Sequence, residues 1–259
     1  MTAFCFLLSS FFRNQLYLEV CFKIFLKPNI EFMEFLLDDP NVEQKYQEIL
    51  RRLIPLQNGV VSDSMEARGI KYKVNLGASV VSLKNLASNY DRNHLLALKL
   101  WNKGWRETML LSTMLEEPSE VSSNQADYWV KNFETLEMAE QACMNLLPYI
   151  PSAYDKAMQW CKGKKKLTKI TGILLIRRLA QIDENVPNEK WEEFLSMLET
   201  LSKDAALSSV LVRTVCQIGR RNHELKIKVL SFVCDVNDFE SKAARAVARE
   251  IMDELEMDF

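Results

Sequence analysis

Apolar residues recur at intervals of three and four in one segment after another between residues 41 and 255. The first segment, residues 41–54, places four of them on one side of a helix: Tyr46, Ile49, Leu50 and Leu53. The same spacing returns in residues 78–90, 95–103, 105–116, 124–133, 135–147, 188–201, 204–219, 222–233 and 238–255. No segment alternates apolar and polar residues with period two over the length of a strand. The sequence therefore predicts an all-α fold.

Residues that break helices are few and stand between these segments. The 259-residue chain has only seven glycines and seven prolines, which favours long helices over a β fold with many turns. We expect Asp91 to cap the helix of residues 95–103, Gly104 to end it, and Asn188 and Asp204 to cap two later helices. Short connections make successive helices antiparallel neighbours. A long row of such pairs without a linker fits an α-solenoid better than a compact bundle.

The first 32 residues differ from the rest of the chain. Residues 1–12 are very apolar, but no basic residue precedes them, and charged residues interrupt the run before it could span a membrane: Arg13, Glu19, Lys23 and Lys27. We expect residues 1–32 to be an extension outside the domain and residues 33–259 to form the domain, starting at Met33. The alternative is a membrane anchor in residues 1–30, which predicts sedimentation with membranes.

The cysteine and histidine content limits the kinds of functional site that the chain could form. Six widely spaced cysteines without a C-x-x-C pair indicate reduced, mostly buried thiols of a cytoplasmic protein. The two histidines, His94 and His223, stand at predicted helix starts, where we expect surface or capping roles. So few histidines argue against a histidine metal site or a Ser-His-Asp triad. The sequence therefore gives no sign of a metal site or of a cofactor.

Two clusters of basic residues stand out against a net charge of −2. The first contains Lys162, Lys164, Lys165, Lys166 and Lys169, followed by Arg177 and Arg178; the second contains Arg213, Arg220, Arg221, Lys226 and Lys228. Equivalent positions of successive helices line one concave face of a solenoid. The clusters could therefore merge into one stripe that binds a phosphate backbone in a salt-dependent way. The alternative is a solvated surface balanced by the many nearby acids.

Several motifs along the chain point to one family. They are residues 97–101 (ALKLW), residues 105–115 (WRETMLLSTML), Trp129 with Phe133, Arg177-Arg178, and residues 217–221 (QIGRR). Together they resemble the DNA alkylation repair proteins built of HEAT-like repeats, and they spread over roughly residues 45–255. The resemblance implies an α-solenoid of HEAT-like antiparallel helix pairs. It also implies a metal-independent DNA glycosylase that excises cationic 3- or 7-alkylpurines from double-stranded DNA held by its backbone.

The chain departs from the family at the catalytic positions. The family's tryptophan and aspartate, four residues apart on one helix, fall on Leu136 and Glu140, and its second tryptophan falls near Arg213. Its helper arginine is retained as Arg177 or Arg178. The resemblance therefore implies Glu140 as the carboxylate that assists base loss, and DNA contacts by Arg177, Arg178, Arg213, Arg220, Arg221, Lys165, Lys166 and Lys169. The alternative is a non-catalytic scaffold that binds DNA backbone or a protein partner; a monomer is favoured.

Overall fold

Residues 39–256, the part of the chain that the computed structural model describes, form thirteen α-helices joined by short turns. The helices are α1 (Pro40–Leu53), α2 (Gly59–Ala67), α3 (Val80–Ala87), α4 (His94–Lys103), α5 (Arg106–Leu115), α6 (Ser123–Lys131), α7 (Leu136–Asn145), α8 (Ala153–Cys161), α9 (Lys166–Ile182), α10 (Asn188–Leu201), α11 (Ser208–Gly219), α12 (His223–Asn237) and α13 (Lys242–Glu256). Within these residues the only β pairing is an isolated bridge between Val74 and Trp105. The predicted all-α fold is confirmed. The predicted extension, residues 1–32, and the predicted domain start at Met33 lie outside the described residues.

The helices other than α2 form two layers, and from α3 onward successive helices alternate between them. Layer A contains α1, α4, α6, α8, α10 and α12, and layer B contains α3, α5, α7, α9, α11 and α13. Each helix of layer B packs against the next one in that layer, and α5, α9 and α13 also pack against the layer A helix that precedes them. Such stacking of helix pairs in a row is an α-solenoid. None of the described helices is long and apolar enough to cross a membrane.

Side-chain pairs join successive helices of layer A. The indole rings of Trp101 in α4 and Trp129 in α6 stack with their centroids 4.4 Å apart. Asp127 of α6 accepts hydrogen bonds from α8, at 2.6 Å from Lys156 Nζ and 2.8 Å from Trp160 Nε1. Ion pairs do the same nearer the two ends: Lys99 with Glu43 at 2.7 Å and Lys228 with Glu192 at 2.9 Å. Each of these contacts, which we call the joints of layer A, therefore holds one helix to its neighbour in the row.

Hydrogen bonds to α9 fix the register of layer B. Cys143 Sγ of α7 donates to the carbonyl oxygen of Thr171 at 3.6 Å, and Thr214 Oγ1 of α11 donates to that of Ile173 at 3.3 Å. The middle of α9 therefore lies level with the second half of α7 and the middle of α11. Gly172 brings α9 close to α8, since a Cβ there would lie 2.7 Å from the backbone nitrogen of Cys161.

The N-cap of α4 differs from the prediction. Asn93, not Asp91, precedes the helix, and its Oδ1 accepts a hydrogen bond from the backbone nitrogen of Leu96 at 2.8 Å. The prediction of Asp91 was wrong because a cap must stand immediately before the first turn to reach its free N–H groups. Gly104 ends the helix as predicted, in the left-handed conformation with φ of +70° that glycine adopts without strain.

The starts of α10 and α11 also differ in detail. Asn188 is the first residue of α10 rather than its cap, and its side chain donates to Glu224 in α12 at 2.6 Å. Asp204 caps a short 3-10 turn, Ala205–Leu207, which leads directly into α11. Both residues therefore lie at the predicted helix starts, but Asn188 links neighbouring helices of layer A instead of closing its own.

Candidate nucleic-acid interface

One line of side chains runs along the exposed side of α7. Leu136, Glu140 and Met144 follow at intervals of four, so they lie above one another on the helix. Leu136 is 45% and Met144 42% exposed, and Glu140 is exposed as well. Glu140 makes no hydrogen bond or ion pair with any described residue. The carboxylate implied for base excision is thus open to a ligand, but no aromatic ring stands at position 136.

The charges of Arg177 in α9 and Glu140 in α7 both act on the buried thiol of Cys143. Burial raises the pKa of the Cys143 thiol well above its usual range, while the charge of Arg177 acts to lower that pKa and the charge of Glu140 acts to raise it. Both charges are therefore near Cys143, one on each of two neighbouring helices. Arg178 donates from its Nη1 to Oε1 of Gln181, one turn along the same helix, at 3.3 Å. Of the two candidate helper arginines, Arg177 is therefore the one whose charge, like that of Glu140, acts on Cys143.

Further cationic side chains project from layer B. Lys166, Lys169 and Arg177 lie on α9, and Arg213 is exposed on α11. These four cations form no ion pair or hydrogen bond with described residues. We call these four side chains the layer B cations. Arg220, just after α11, lies 3.6 Å from Glu254 of α13.

Three exposed basic residues on α13 were not predicted from the sequence. In this helix apolar side chains fill the buried side, with Ala244, Val247, Ala248 and Ile251 all in the core. The exposed positions carry Lys242, Arg245 and Arg249. The apolar spacing of residues 238–255 predicts this helix. The basic residues stand at the positions opposite the apolar stripe, so the same spacing was the signal that could have identified them.

Two of the predicted DNA-contacting residues donate hydrogen bonds to backbone carbonyl oxygens of other helices. Arg221 Nη1 donates to the carbonyl oxygen of Ala180 at 2.8 Å, and its guanidinium carbon lies 4.4 Å from the ring centre of buried Trp191. Lys165 Nζ donates to the carbonyl oxygen of Lys131 at 3.0 Å. Both carbonyls belong to helix C-terminal turns, which attract cations. Arg221 and Lys165 therefore each have a partner within the fold, and their contacts with DNA stay predictions.

A buried polar network fastens the N-terminal ends of α5 and α7. The guanidinium of Arg106 donates to both carboxylate oxygens of Glu137, at 2.9 and 2.6 Å, to Glu107 Oε1 at 2.8 Å and to the carbonyl oxygen of Ala78 at 2.8 Å. Tyr72 donates to Glu137 at 2.9 Å. Burial acts to raise the pKa of Glu137, but the hydrogen bonds and charge of Arg106 outweigh it, so that the pKa is lowered. The network ties the segment before α3 to both helices.

His94 has a structural role rather than the predicted surface or capping role. Its Nδ1 lies 2.8 Å from Oε1 of Glu116, and that carboxylate is fully buried. Gln125 Nε2 donates to the other oxygen of Glu116 at 2.8 Å. Burial raises the pKa of Glu116, and the hydrogen bond from His94 acts against this. The sequence could not show this contact because Glu116 lies 22 residues away in the chain.

Four free cysteines lie within the described residues. Cys143, Cys161 and Cys216 are buried as predicted, and Cys234 is exposed. Burial raises the pKa of Cys161 to about 12. Cys5 and Cys21 lie outside the described residues. Among the described side chains, no three of His, Cys, Asp or Glu come together where they could hold a metal ion.

Fold and surface together define a two-layer helical repeat protein that carries the layer B cations on neighbouring helices. The family model described as DNA alkylation repair enzyme matches residues 49–209, and the chain belongs to this family. This confirms the resemblance carried by the motifs. No curated protein matches the chain.

A solved structure supports the same architecture. It comes from a family described as related to the HEAT-like repeat DNA glycosylases, with affinity for branched DNA structures. It aligns with a TM-score of 0.66 and 16% identity, covering 83% of this chain and 96% of that one. The predicted α-solenoid of HEAT-like helix pairs is thereby confirmed.

Proposed function

We propose that the protein binds double-stranded DNA through the layer B cations. The observation that carries this proposal is their arrangement: four cations on neighbouring helices have no partner among the described residues, in a chain whose net charge is −2. Other cations of the fold, such as Arg106 and Lys156, are bound by carboxylates. A cation that contacts a phosphate displaces a counterion, which drives binding at low salt.

The proposal predicts a salt dependence. Each phosphate contact contributes about 0.9 to the slope of log affinity against log salt concentration, so that four contacts give a slope of about −3.6. Affinity should then fall by roughly 150-fold between 50 and 200 mM salt. Anisotropy of a fluorescently labelled duplex, measured over this range, gives the slope directly.

Single substitutions test whether DNA contacts layer B rather than the rest of the surface. Arg177→Ala and Arg213→Ala should each weaken duplex binding and reduce the slope by about 0.9. The matched control is Arg51→Ala, because Arg51 is exposed on α1 of layer A and makes no hydrogen bond with described residues. Unchanged slopes in both layer B variants would contradict the proposed surface. Absence of any duplex binding at 50 mM salt would favour a protein partner instead.

Branched DNA belongs in the same assay. The affinity for branched structures described for the solved relative's family supports testing a four-way junction beside the duplex. A junction offers phosphate backbones from several arms to a row of cations that spans α9 and α11. We expect the junction to bind at least as tightly as a duplex of equal length, with Arg213→Ala weakening both.

We propose base excision by Glu140 as a second function. Family membership and the exposed carboxylate of Glu140 support it. As the N-glycosidic bond of a cationic alkylpurine breaks, its electron pair goes to the base, and Glu140 stabilises the cationic sugar until water adds and releases a proton. Leu136 offers no π face to that cation, so we expect slow excision.

Release of methylated bases from alkylated duplex DNA tests excision. Wild-type protein should release them, and Glu140→Gln should release them at least tenfold more slowly. Equal release by both proteins would remove Glu140 from the reaction. No release by either would leave DNA binding as the function.

We retain from the sequence a monomeric, cytoplasmic protein whose domain is residues 33–259. Light scattering of the purified protein measures its mass, and cell fractionation its location. N-terminal mass spectrometry of the native protein tests the start at Met33, and a native terminus at Met1 or Thr2 would contradict it.

A further inference from the structure

A cleft opens where the C-terminal ends of α3, α5 and α7 meet, and we propose that it binds one unpaired nucleobase of a DNA strand. The inference rests on the proposed DNA binding and adds a preference for DNA in which a base has left the stack. The cleft has a volume of about 410 Å³, within the range of roughly 300–1,000 Å³ typical of small-ligand sites.

The wall of the cleft is apolar and aromatic although it is open to solvent. Met144 and Tyr149 line it and are 42% and 48% exposed, and Met114 lies beside them. Met144 is also the last residue of the exposed α7 line, four residues beyond Glu140. The cleft therefore lies at the C-terminal end of the exposed α7 line. Phosphates and paired bases present no apolar face to such a wall, whereas an unstacked base presents two.

Polar groups of the cleft are fixed in positions that suit a base edge. Asn145 Nδ2 donates to Thr113 Oγ1 at 3.2 Å, which leaves its carbonyl oxygen as an acceptor for an exocyclic amino group. The opposite side is formed by Tyr90, whose hydroxyl is held by Glu48 at 2.8 Å and by Arg52 Nη1 at 3.2 Å. These two hydrogen bonds therefore hold the ring of Tyr90 in place.

Two cations also line the cleft, and they favour a nucleic acid strand over an apolar peptide as its ligand. Lys84 and Arg92 line it and are exposed. Arg92 Nη1 donates to the carbonyl oxygen of Glu116 at 3.1 Å, which orients the guanidinium. A nucleotide within a strand has a phosphate on each side of its base. An apolar wall for the base and cations for the phosphates together match such a nucleotide.

The experiment compares two duplexes that differ by one base. One is perfectly paired, and the other carries a single extrahelical 2-aminopurine, a fluorescent base. Wild-type protein should bind the second more tightly and change its 2-aminopurine emission. Tyr149→Ala should weaken binding of the extrahelical DNA by roughly 5- to 150-fold, the range for loss of one stacked base, and abolish the emission change. Binding of the perfect duplex should change by less than about twofold.

Two control variants show whether the ring and its position matter. Tyr149→Phe keeps the ring and should bind as the wild type does. Tyr128 is 52% exposed on α6 in layer A, so Tyr128→Ala should leave both affinities unchanged. The salt slope should stay the same in Tyr149→Ala because no phosphate contact is lost.

The outcomes separate this inference from DNA binding itself. If wild-type protein binds both duplexes equally, or if Tyr149→Ala weakens both equally, the cleft is not a base site while duplex binding stands. If free deoxyadenosine monophosphate at millimolar concentration abolishes the emission change, the cleft is a mononucleotide site and the assignment to a strand is overturned. If wild-type protein binds neither duplex, the proposed function fails together with the cleft.

Discussion

Replacing Glu137 by Gln tests whether the buried network at the start of α7 stabilises the fold. Glu137 accepts two hydrogen bonds from Arg106 and one from Tyr72. Glutamine has nearly the same shape, but it removes the negative charge and turns one acceptor into a donor. Arg106, whose side chain is only 4% exposed, would then face an amide nitrogen or lose one of its bonds.

The expected loss of stability follows from these contacts. Removing one partner of a buried ion pair costs about 3–5 kcal/mol, and a hydrogen bond to a charged group contributes about 1.5–3 kcal/mol. Glu107 still lies 2.8 Å from Arg106 Nη1, so the guanidinium keeps one carboxylate. We therefore expect a loss at the lower end, about 3 kcal/mol. For a chain of this size it corresponds to a fall in melting temperature of roughly 6–12 °C.

Urea unfolding followed by circular dichroism measures the free energy of unfolding. The matched control is Glu140→Gln, the same substitution three residues later on the exposed side of α7, where we expect less than about 0.5 kcal/mol. A loss below about 1 kcal/mol in Glu137→Gln, or one equal to that of the control, would refute the assigned role of the network.

A pH series adds an independent test. The folded-state pKa of Glu137 is lowered from its ordinary value of 4.5. The ionised carboxylate therefore stabilises the fold above that value, and this contribution is lost as pH falls through the folded-state pKa. The difference between wild type and Glu137→Gln should narrow below pH 4.5. A difference that stays constant down to pH 3 would contradict the lowered pKa.

Three further predictions concern packing, thiols and the domain boundary. Gly172→Ala should destabilise the protein by about 1–3 kcal/mol in urea, because its Cβ would meet α8 backbone, whereas Gly59→Ala should be nearly neutral since a Cβ there meets nothing within 4 Å. In a chain with Cys5 and Cys21 replaced by serine, a thiol reagent should label Cys234 at once and the three buried cysteines only on unfolding. A chain that starts at Met33 should keep the helical circular dichroism spectrum; a random-coil spectrum would contradict the proposed domain.

Helices with one buried side were predictable from the sequence, whereas a helix buried on several sides was not. The stripe in residues 41–54 predicts α1 to within one residue at each end. The longest helix of the described residues, α9, gave no such stripe, since every residue from Ile170 to Ile176 is buried. Its start was hidden as well, because Lys165 precedes it without a side-chain cap. A helix covered on several sides has no polar face by which its period can be recognised.

The candidate interface was predictable in part. Motif spacing identified Glu140, Arg177 and Arg213, which the structure places on adjacent helices of layer B. It could not show that Arg221 and Lys165 are bound by carbonyl oxygens, because those carbonyls belong to helices 34 to 41 residues earlier. The cleft left no sequence signal, since its lining comes from three helix ends that meet only in the folded chain.

The joints of layer A have a mechanical consequence. The stacked indoles and the ion pairs each couple one helix to the next, so that bending the row distributes a small rotation over every joint. A repeat assembled in this way deforms elastically, without opening its interior. A stiffer replacement of any joint should therefore narrow the range of shapes that the row adopts.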